Sequence, residues 1–449
     1  MSLTAQTYWA EHAWLGESVE SDVLIVTAVD GRIKEVRANT PVPPAGAVQL
    51  RGLTLPGLAN AHSHAFHRAL RGVVQAGSGT FWTWREVMYG VADKLTPDSY
   101  FELARAVYAE MTMAGITCVG EFHYLHHAPG GARYGNPNAM GEALIAAAAE
   151  AGIRITLLDT CYLSSGFGAE PDTHQLRFSD GSAHAWAERV GALKADGNTR
   201  IGAAVHSVRA VPVDQLGTVA GWADHHAAPL HVHLSEQTAE NDACVEAHGF
   251  TPTRLLADHG VLGPRTTAVH ATHLTAGDIR LLGHSGTGVC MCPTTERDLA
   301  DGIGPAAQLQ QAGSPLSLGS DSHAVIDILE EARAMEMDER LHTRTRGHWS
   351  APTLLRAATV DGHAALGWGD DAGRIEPGAL ADLTTIALDS VRTAGPPPRL
   401  GAETAVFAAT AADVRHTVVG GRHVVRDGAH QLVPRVPEAL AEAVAALRD

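Results

Sequence analysis

Histidine and aspartate residues stand at the ends of several apolar segments, in spacings that could bind a metal ion. His62 and His64 close the segment LTLPGLANAHSH, His233 closes LHVH, and Asp321 closes LSLGSD. Alternate residues of a strand share one face, so the imidazoles of His62 and His64 can reach one ion. Three imidazoles and one carboxylate suit Zn²⁺, with Fe²⁺ or Mn²⁺ as less favoured alternatives. We therefore expect one Zn²⁺ ion bound by these four side chains.

Two further polar residues follow the same pattern and would supply the chemistry of a hydrolase. Glu236 comes three residues after His233, and His270 closes the segment TTAVH. A metal ion with an open coordination position lowers the pKa of bound water toward neutrality. Such a centre also needs a proton carrier and a group that holds the water in line. We assign these roles to Glu236 and His270, and expect Asp321 to act in catalysis as well as in metal binding.

Neighbouring histidines leave two of these assignments open. His231 shares a strand face with His233, and His273 follows His270 closely. His233 is preferred because it lies nearer the end of its strand and nearer Glu236. A single histidine at a strand end is more often a structural residue, but the combination over four strands favours a metal centre.

The lysines and cysteines restrict the number of ions and the type of ligand. The three lysines, Lys34, Lys94 and Lys194, do not stand at predicted strand ends. A carboxylated lysine that bridges two ions is therefore not expected, and one ion is favoured. Cys290 and Cys292 have C-x-C spacing inside the apolar run GVCMCPTT, which favours buried thiols over metal ligands.

The elements that would position these residues alternate between strand-like and helical patterns. Segments such as DSYFELARAVYAEMTMAG and ILEEARAMEMDERLH have apolar residues at the spacing of a helix. Eight strand–helix repeats over about 270 residues predict an α/β fold, a (β/α)₈ barrel, with its chemistry at the carboxyl ends of the strands. A doubly wound open sheet is the alternative, although no G-x-G-x-x-G motif follows the first strand. The predicted barrel strands are Leu53–His62, Cys118–Phe122, Arg154–Tyr162, Arg200–Ser207, Leu230–Ser235, Thr267–Thr272, Gly288–Pro293 and Pro315–Ser320.

The two chain ends consist of short strands and turns. We predict that residues 1–53 and 371–449 together form a small β-sandwich, with a helix at the carboxyl end, around a barrel of residues 54–370. Within the second segment, VRHTVVGGRHVVRDG indicates a hairpin that turns at Gly420 and Gly421.

Composition excludes several function classes. The 449 residues include 33 basic and 50 acidic side chains, a net charge of −17 that disfavours binding to nucleic acid or anionic membranes. No apolar run is long enough for a membrane helix, and the first residues do not resemble a signal peptide, so a cytoplasmic location is expected. Five cysteines, an odd and sparse set, do not indicate a disulfide framework.

The motifs as a whole resemble those of a known family. LPGLANAHSHAFHRAL is similar to the opening motif of the amidohydrolase superfamily, and SDSH to its closing motif. FWTWREVMY, EFHYLHH, HSVRAV, VHLSEQ, VHATH and PTTERDLADGIGP resemble the formimidoylglutamate deiminases within it. The resemblance implies a zinc-dependent hydrolase that converts N-formimidoyl-L-glutamate to N-formyl-L-glutamate and ammonia in histidine degradation. It also implies a homodimer.

The implied substrate has two carboxylates, so an acidic protein must place cations locally in its pocket. The resemblance assigns substrate binding to side chains that can donate hydrogen bonds or carry positive charge: Arg85, Tyr124, His206, Arg209 and His67. Arginine suits this role because its planar guanidinium matches a carboxylate in bidentate fashion. By themselves the signals are weak, since Arg85 could pair with Glu86, Arg209 could form a loop ion pair, and Tyr124 could be a core aromatic.

The sequence departs from the family pattern at two positions. His67 stands where the family often has glutamine, and Asp298 where some members have asparagine. If the first position contacts substrate, His67 must act as the hydrogen-bond donor there, and the substrate range could change.

Other functions remain as alternatives. A deaminase of guanine or a related aromatic ring would use the same barrel with a stacking pocket in place of arginines. A dihydropyrimidinase-like hydrolase is disfavoured because the strand-end lysine is missing. A non-catalytic scaffold barrel would have lost metal ligands, which are all present. The small zinc deaminases need H-x-E with P-C-x-x-C, which the chain lacks.

Overall fold

The computed structural model describes residues 5–448, apart from the side chains of Phe81 and Trp82 in the FWTWRE motif. The strands in this range are β1 Thr7–Trp14, β2 Val19–Thr27, β3 Ile33–Arg37, β4 Val48–Pro56, β5 Leu58–Ser63, β6 Ile116–His123, β7 Arg154–Cys161, β8 Thr199–Val205, β9 Leu230–Leu234, β10 Thr266–His270, β11 Gly288–Met291, β12 Leu316–Leu318, β13 Leu383–Ile386, β14 Val414–Val419, β15 Arg422–Arg426 and β16 Ala429–His430. The α-helices are α1 Phe81–Ala92, α2 Pro97–Met113, α3 Ala139–Ala151, α4 Ala183–Val190, α5 Val213–His225, α6 Thr238–His248, α7 Pro252–Asp258, α8 Ala276–Ser285, α9 Pro293–Asp298, α10 Ala306–Ala312, α11 Ile328–Thr343, α12 Ala351–Arg356, α13 Gly362–Ala365, α14 Gly401–Phe407 and α15 Val436–Ala445.

Strands β5 to β12 form one parallel sheet in chain order, with helices between successive strands. A parallel bridge between Ser63 and Asp321 links the first strand of this sheet to the end of the last one, so the sheet is a nearly closed barrel. These strands are buried almost throughout, as expected for parallel strands covered by helices. The prediction of a (β/α)₈ barrel is confirmed.

The two chain ends form a second sheet, in the order β16-β15-β14-β13-β4-β1-β2-β3. Within it, β1 and β4 pair in parallel and the other neighbours pair antiparallel. Six of its strands contribute to a small apolar core of their own, which includes Tyr8, Ile25, Leu50, Leu383 and Val418. The prediction that both ends join in one β domain is confirmed, with all eight strands hydrogen-bonded in one continuous sheet.

One predicted strand is wrong in its extent. The run Leu53–His62 is two strands, because β4 belongs to the sheet of the chain ends and β5 opens the barrel. Gly57 connects β4 to β5. A Cβ atom at this position would lie 2.2 Å from Oγ1 of Thr117, so the close packing here requires glycine. Both strands are buried at this point, so the apolar pattern runs through the boundary and gives no sign of it.

The predicted hairpin turn and the predicted buried cysteines are both present in the structure. Gly420 and Gly421 have φ values of 54° and 74° and form the predicted turn between β14 and β15. Cys290 and Cys292 lie in a buried apolar cluster with Ala61 and Val269, and all five cysteines are free. No helix in residues 5–448 is long and apolar enough to cross a membrane.

Candidate active site

The four predicted ligands lie close together at the carboxyl end of the barrel. His62 and His64 lie at the end of β5, His233 lies in β9, and Asp321 follows β12. Nε2 of His62 lies 3.2 Å from Oδ1 of Asp321 and 3.1 Å from Nε2 of His233. Nε2 of His64 lies 3.4 Å from the same Asp321 oxygen. Ligands around a tetrahedral ion with bonds of about 2.0–2.1 Å are about 3.3 Å apart, and these three separations are close to that value. His62, His64 and His233 form one group that could share an ion, and Asp321 is grouped with His62 and His270 and with His64 and His67.

The hydrogen bonds behind the imidazoles also fit a metal centre. Nδ1 of His64 lies 2.9 Å from the carbonyl oxygen of Phe122, and Nδ1 of His233 lies 3.0 Å from that of His206. A carbonyl oxygen only accepts, so each Nδ1 carries the proton and each Nε2 keeps its lone pair for a ligand. Burial lowers the pKa of His64 to about 3 and that of His233 well below its usual value. The lone pairs of these neutral imidazoles face one another and would repel. A cation bound between them removes this repulsion.

His270 and Glu236 lie beside these ligands. Nε2 of His270 is 3.8 Å from Oδ2 of Asp321 and 3.9 Å from Oε1 of Glu236. Burial raises the pKa of the Glu236 carboxyl to about 7; nearby Asp321 and Glu240 add to the rise and His270 opposes it. A carboxyl with this pKa can both accept and release a proton near neutral pH.

Two of these side chains come from strained backbone. His270 has a φ of 67° and Asp321 a φ of 41°, in the left-handed region that residues other than glycine rarely adopt. Such conformations cost free energy and persist where the surrounding structure holds them, often at functional sites.

The alternative histidines lie elsewhere. Nε2 of His231 donates to the carbonyl oxygen of Ala365, at 2.9 Å. One group of side chains that could share an ion contains His233, and another contains His270. Neither His231 nor His273 belongs to such a group among the residues that the structure describes. His67 forms a further group of this kind with His64 and Asp321, because their potential ligand atoms lie within 4.8 Å of one another.

All five predicted substrate-binding side chains line one pocket above the ligands: His67, Arg85, Tyr124, His206 and Arg209. The walls of the pocket also contain large apolar and aromatic side chains for which the sequence predicted no role: Trp84, Met88, Tyr89, Tyr162, Phe178 and Leu299.

The polar groups of this pocket contact one another. Nε2 of His67 lies 3.1 Å from the Tyr124 hydroxyl, and Nε of Arg209 lies 3.4 Å from Oε2 of Glu240. Arg85 donates from Nε to the hydroxyl of Tyr89, at 2.6 Å. Burial lowers the pKa of His206, and the charge of Arg209 lowers it further, so that this imidazole is neutral.

Asp298 lies outside this pocket. Its Oδ2 accepts a hydrogen bond of 2.7 Å from Gln75, and both residues line a neighbouring surface groove. None of the three lysines lines the active-site pocket as the structure describes it.

Sequence reasoning missed two carboxylates near the site. Glu240 lies in the first turn of α6, four residues after Glu236, which precedes the helix, so helical spacing does not predict that the two lie close together. Glu296 in the motif PTTERD contacts Nδ1 of His270 at 3.4 Å, and nothing in its sequence position indicates this contact.

Comparison with known proteins identifies the family. The family model described as the amidohydrolase family matches residues 53–424. The chain belongs to the amidohydrolase family. This assignment makes the protein a hydrolase, and its curated relatives at 30% identity or more include deaminases similar to it over most of its length.

Among curated relatives of this amidohydrolase, formimidoylglutamate deiminase of Pseudomonas aeruginosa is 35% identical, over 98% of this chain and 99% of its own. The 8-oxoguanine deaminase of the same species is 32% identical over 89% of each chain. The predicted resemblance to formimidoylglutamate deiminases is therefore confirmed, although ring deaminases are also similar.

Solved structures agree with the amidohydrolase fold. An amidohydrolase from Brucella melitensis superposes with a TM-score of 0.91 at 31% identity, covering 99% of this chain and 100% of that one. An adenosine deaminase from Xanthomonas campestris with bound zinc has a TM-score of 0.83 at 25% identity, covering 99% of this chain and 98% of that one.

Proposed function

We propose that this amidohydrolase hydrolyses N-formimidoyl-L-glutamate to N-formyl-L-glutamate and ammonia, a step of histidine degradation. The observation that carries the proposal is the presence of Arg85 and Arg209 in one pocket with His64, His233 and Asp321. The similarity to formimidoylglutamate deiminase over nearly the full length supports it.

We further propose one Zn²⁺ ion at this site, held by His62, His64, His233 and Asp321. The neutral imidazoles, their proton-donating contacts to backbone carbonyls and the bound zinc of a structural relative support this choice. When bound, such an ion activates a water molecule for attack.

His270 and Glu236 then orient the water molecule and transfer its protons. His270, between Glu236 and Asp321, is placed to orient a water molecule toward the formimidoyl carbon. The Glu236 carboxylate takes a proton from that water and passes it to the nitrogen that leaves. The remaining proton of the added hydroxyl group follows the same path as the C–N bond breaks, so that a formyl group and ammonia are released. Burial raises the pKa of the Glu236 carboxyl to about 7, which suits a group that exchanges protons near neutral pH.

The remaining pocket residues bind the rest of the substrate. Arg85 and Arg209 would anchor the two carboxylates in bidentate fashion, while Tyr124 and His206 add hydrogen bonds. Binding energy from these distant groups holds the formimidoyl carbon in place for attack. The aromatic walls keep bulk water away and strengthen the charged contacts.

A ring deaminase is the second candidate. The similarity to 8-oxoguanine deaminase and the aromatic side chains of the pocket favour it. Two arginines in one pocket disfavour it, because a purine has no carboxylate for Arg85 to bind; Glu240 contacts Arg209.

An ammonia-release panel tests both candidates. The purified protein, loaded with zinc, is incubated with N-formimidoyl-L-glutamate, N-formimidoyl-L-aspartate, guanine, 8-oxoguanine and adenosine. We expect release from formimidoylglutamate at the highest kcat/KM. Faster release from any purine would reject the proposal in favour of the ring deaminase.

A further inference from the structure

Arg85 is the end of a hydrogen-bonded chain that starts at the buried side chain of Gln175, in the turn of 3₁₀ helix Gln175–Phe178. Its Nε donates to the Tyr89 hydroxyl at 2.6 Å, and its guanidinium carbon lies 5.1 Å from the centre of the Tyr89 ring. The same hydroxyl accepts a hydrogen bond of 2.9 Å from Nε2 of Gln175. We propose that Gln175 and Tyr89 are positioning residues that orient Arg85 toward a substrate carboxylate. This inference rests on the function proposed above.

Gln175 can hold only one orientation. Its side-chain amide is fully buried, and its nitrogen donates to the hydroxyls of Tyr89 and Tyr162, each at 2.9 Å. Its Oε1 accepts from the backbone N–H of Asp172 at 3.0 Å. A flipped amide would set its oxygen against two hydroxyl oxygens and its nitrogen against an N–H group, so both donors stay directed at the phenols. The Tyr89 hydroxyl thus has a fixed position.

The turn that carries Gln175 is itself tied to α1, the helix of Arg85. Arg177, also fully buried, donates from its terminal nitrogens to the carbonyl oxygens of Ala92 and Leu95, the second at 2.9 Å. Its Nε donates to the carbonyl oxygen of His127 at 3.2 Å. The helix therefore cannot slide along the barrel without breaking hydrogen bonds in a dry interior, where they are costly to lose.

This arrangement matters because arginine has a long, flexible side chain. Ordering such a side chain when the substrate binds would weaken binding. A guanidinium already directed by Tyr89 forms its carboxylate contact without that loss. The expected role is therefore mainly in substrate affinity: without the Tyr89 hydroxyl Arg85 still forms its carboxylate contact, at a greater entropic cost, so the position of the formimidoyl carbon in the bound substrate is kept.

The test uses Tyr89→Phe, which keeps the ring against Arg85 and removes only the hydroxyl. We expect KM for formimidoylglutamate to rise about tenfold, the loss of one charge-assisted hydrogen bond, with kcat within about twofold. Gln175→Met should act in the same direction. The matched control is Tyr8→Phe, which removes a buried hydroxyl bonded to the Gly421 carbonyl at 3.0 Å in the other sheet. Its KM should not change.

Substrate analogues separate orientation of Arg85 from general damage. N-formimidoyl-4-aminobutyrate lacks one carboxylate of the substrate, and N-formimidoyl-L-norvaline lacks the other. For the analogue without the carboxylate bound by Arg85, the KM values of Tyr89→Phe and the unsubstituted protein should agree. An equal rise in KM for the substrate and both analogues, or no rise for the substrate, would overturn the inference.

Binding of glutarate, followed by calorimetry on the zinc-loaded protein, distinguishes this inference from the proposed function. Weaker glutarate binding by Tyr89→Phe than by the unsubstituted protein supports the positioning role even if formimidoylglutamate is not hydrolysed. Equal glutarate binding rejects the positioning role whatever the activity. Absence of both glutarate binding and turnover in the unsubstituted protein rejects both proposals.

Discussion

Oε1 of Glu296 lies 3.4 Å from Nδ1 of His270, and the same oxygen accepts the backbone N–H of Cys292 at 2.9 Å. The carboxylate is thus fixed at the start of α9 and directs the imidazole that faces Asp321. Burial alone would lower the pKa of His270, but the carboxylates of Glu236, Glu296 and Asp321 raise it well above its usual value.

We therefore expect Glu296→Gln to lower kcat by about 10–100-fold, as is typical when the partner of an active-site histidine is altered. Steady-state kinetics on the zinc-loaded protein measures this effect. The matched control is Glu331→Gln, because Glu331 is equally buried but accepts hydrogen bonds from Thr294. A similar loss in both variants would indicate a packing effect and not a role through His270.

Replacing the proposed proton carrier should separate catalysis from metal binding. Glu236→Gln keeps the size of the side chain and removes its ability to exchange a proton, so kcat should fall by about 10²–10⁴-fold. Bound zinc, measured by elemental analysis of the purified variant, should remain near that of the unsubstituted protein. Near-normal turnover, or loss of the metal together with activity, would contradict the assigned role.

Arg209 should act on substrate binding, and Glu240 should modify its effect. Arg209→Met removes a charged hydrogen-bond donor worth about 1.5–3 kcal/mol, so KM should rise about 10–100-fold. It also leaves the Glu240 carboxylate, now 3.4 Å from Arg209, beside the position of the substrate carboxylate. The double variant Arg209→Met/Glu240→Gln should therefore have a lower KM than Arg209→Met. An equal or higher KM would show that Glu240 does not face the bound substrate.

The departure from the family pattern at His67 gives a prediction about substrate range. Nε2 of His67 contacts the Tyr124 hydroxyl at 3.1 Å, a contact that a glutamine amide could replace. We expect His67→Gln to keep kcat/KM for formimidoylglutamate within about threefold, the span of less than 1 kcal/mol. His67→Leu, which cannot hydrogen-bond Tyr124, should lose at least tenfold more. Equal values for the two variants would remove His67 from the substrate-binding set.

A buried ion pair behind the site should make stability depend on pH. Arg189 contacts Asp180 at 2.9 Å and Asp159 at 2.8 Å. Burial alone would raise the pKa of Asp180, but hydrogen bonding to His127 and the charge of Arg189 hold it below 3.8. A folded pKa below the unfolded one means that the carboxylate stabilises the protein above pH 3.8, and that this contribution fades as pH falls further.

Asp180→Asn should accordingly lower the free energy of unfolding at pH 7 by about 3 kcal/mol, the cost of breaking a buried pair. The difference from the unsubstituted protein should narrow as the pH is lowered below 3.8, as followed by denaturant unfolding. Asp389→Asn, in an exposed pair with Arg415, serves as the control and should leave stability nearly unchanged. A constant difference at all pH values would contradict the pKa argument.

The sequence by itself determined the barrel and which histidine and aspartate side chains meet at its carboxyl end. Period-two spacing put His62 and His64 on one face of a strand, and the rule that barrel chemistry lies at strand ends singled out His233, His270 and Asp321. These inferences need only local geometry and chain order, because parallel strands of a barrel bring their ends to one rim.

Only the tertiary structure decided how the walls of the pocket are held. The contacts of Glu296 with His270 and of Gln175 with Tyr89 join residues on different elements, 26 and 86 positions apart. The tertiary structure also decided that the chain changes from one sheet to the other at Gly57. The residues on both sides are buried, so the apolar pattern of the sequence is continuous across this boundary. Spacing along a chain fixes which side chains share a face, but contacts between elements depend on loop paths and packing, which no local period encodes.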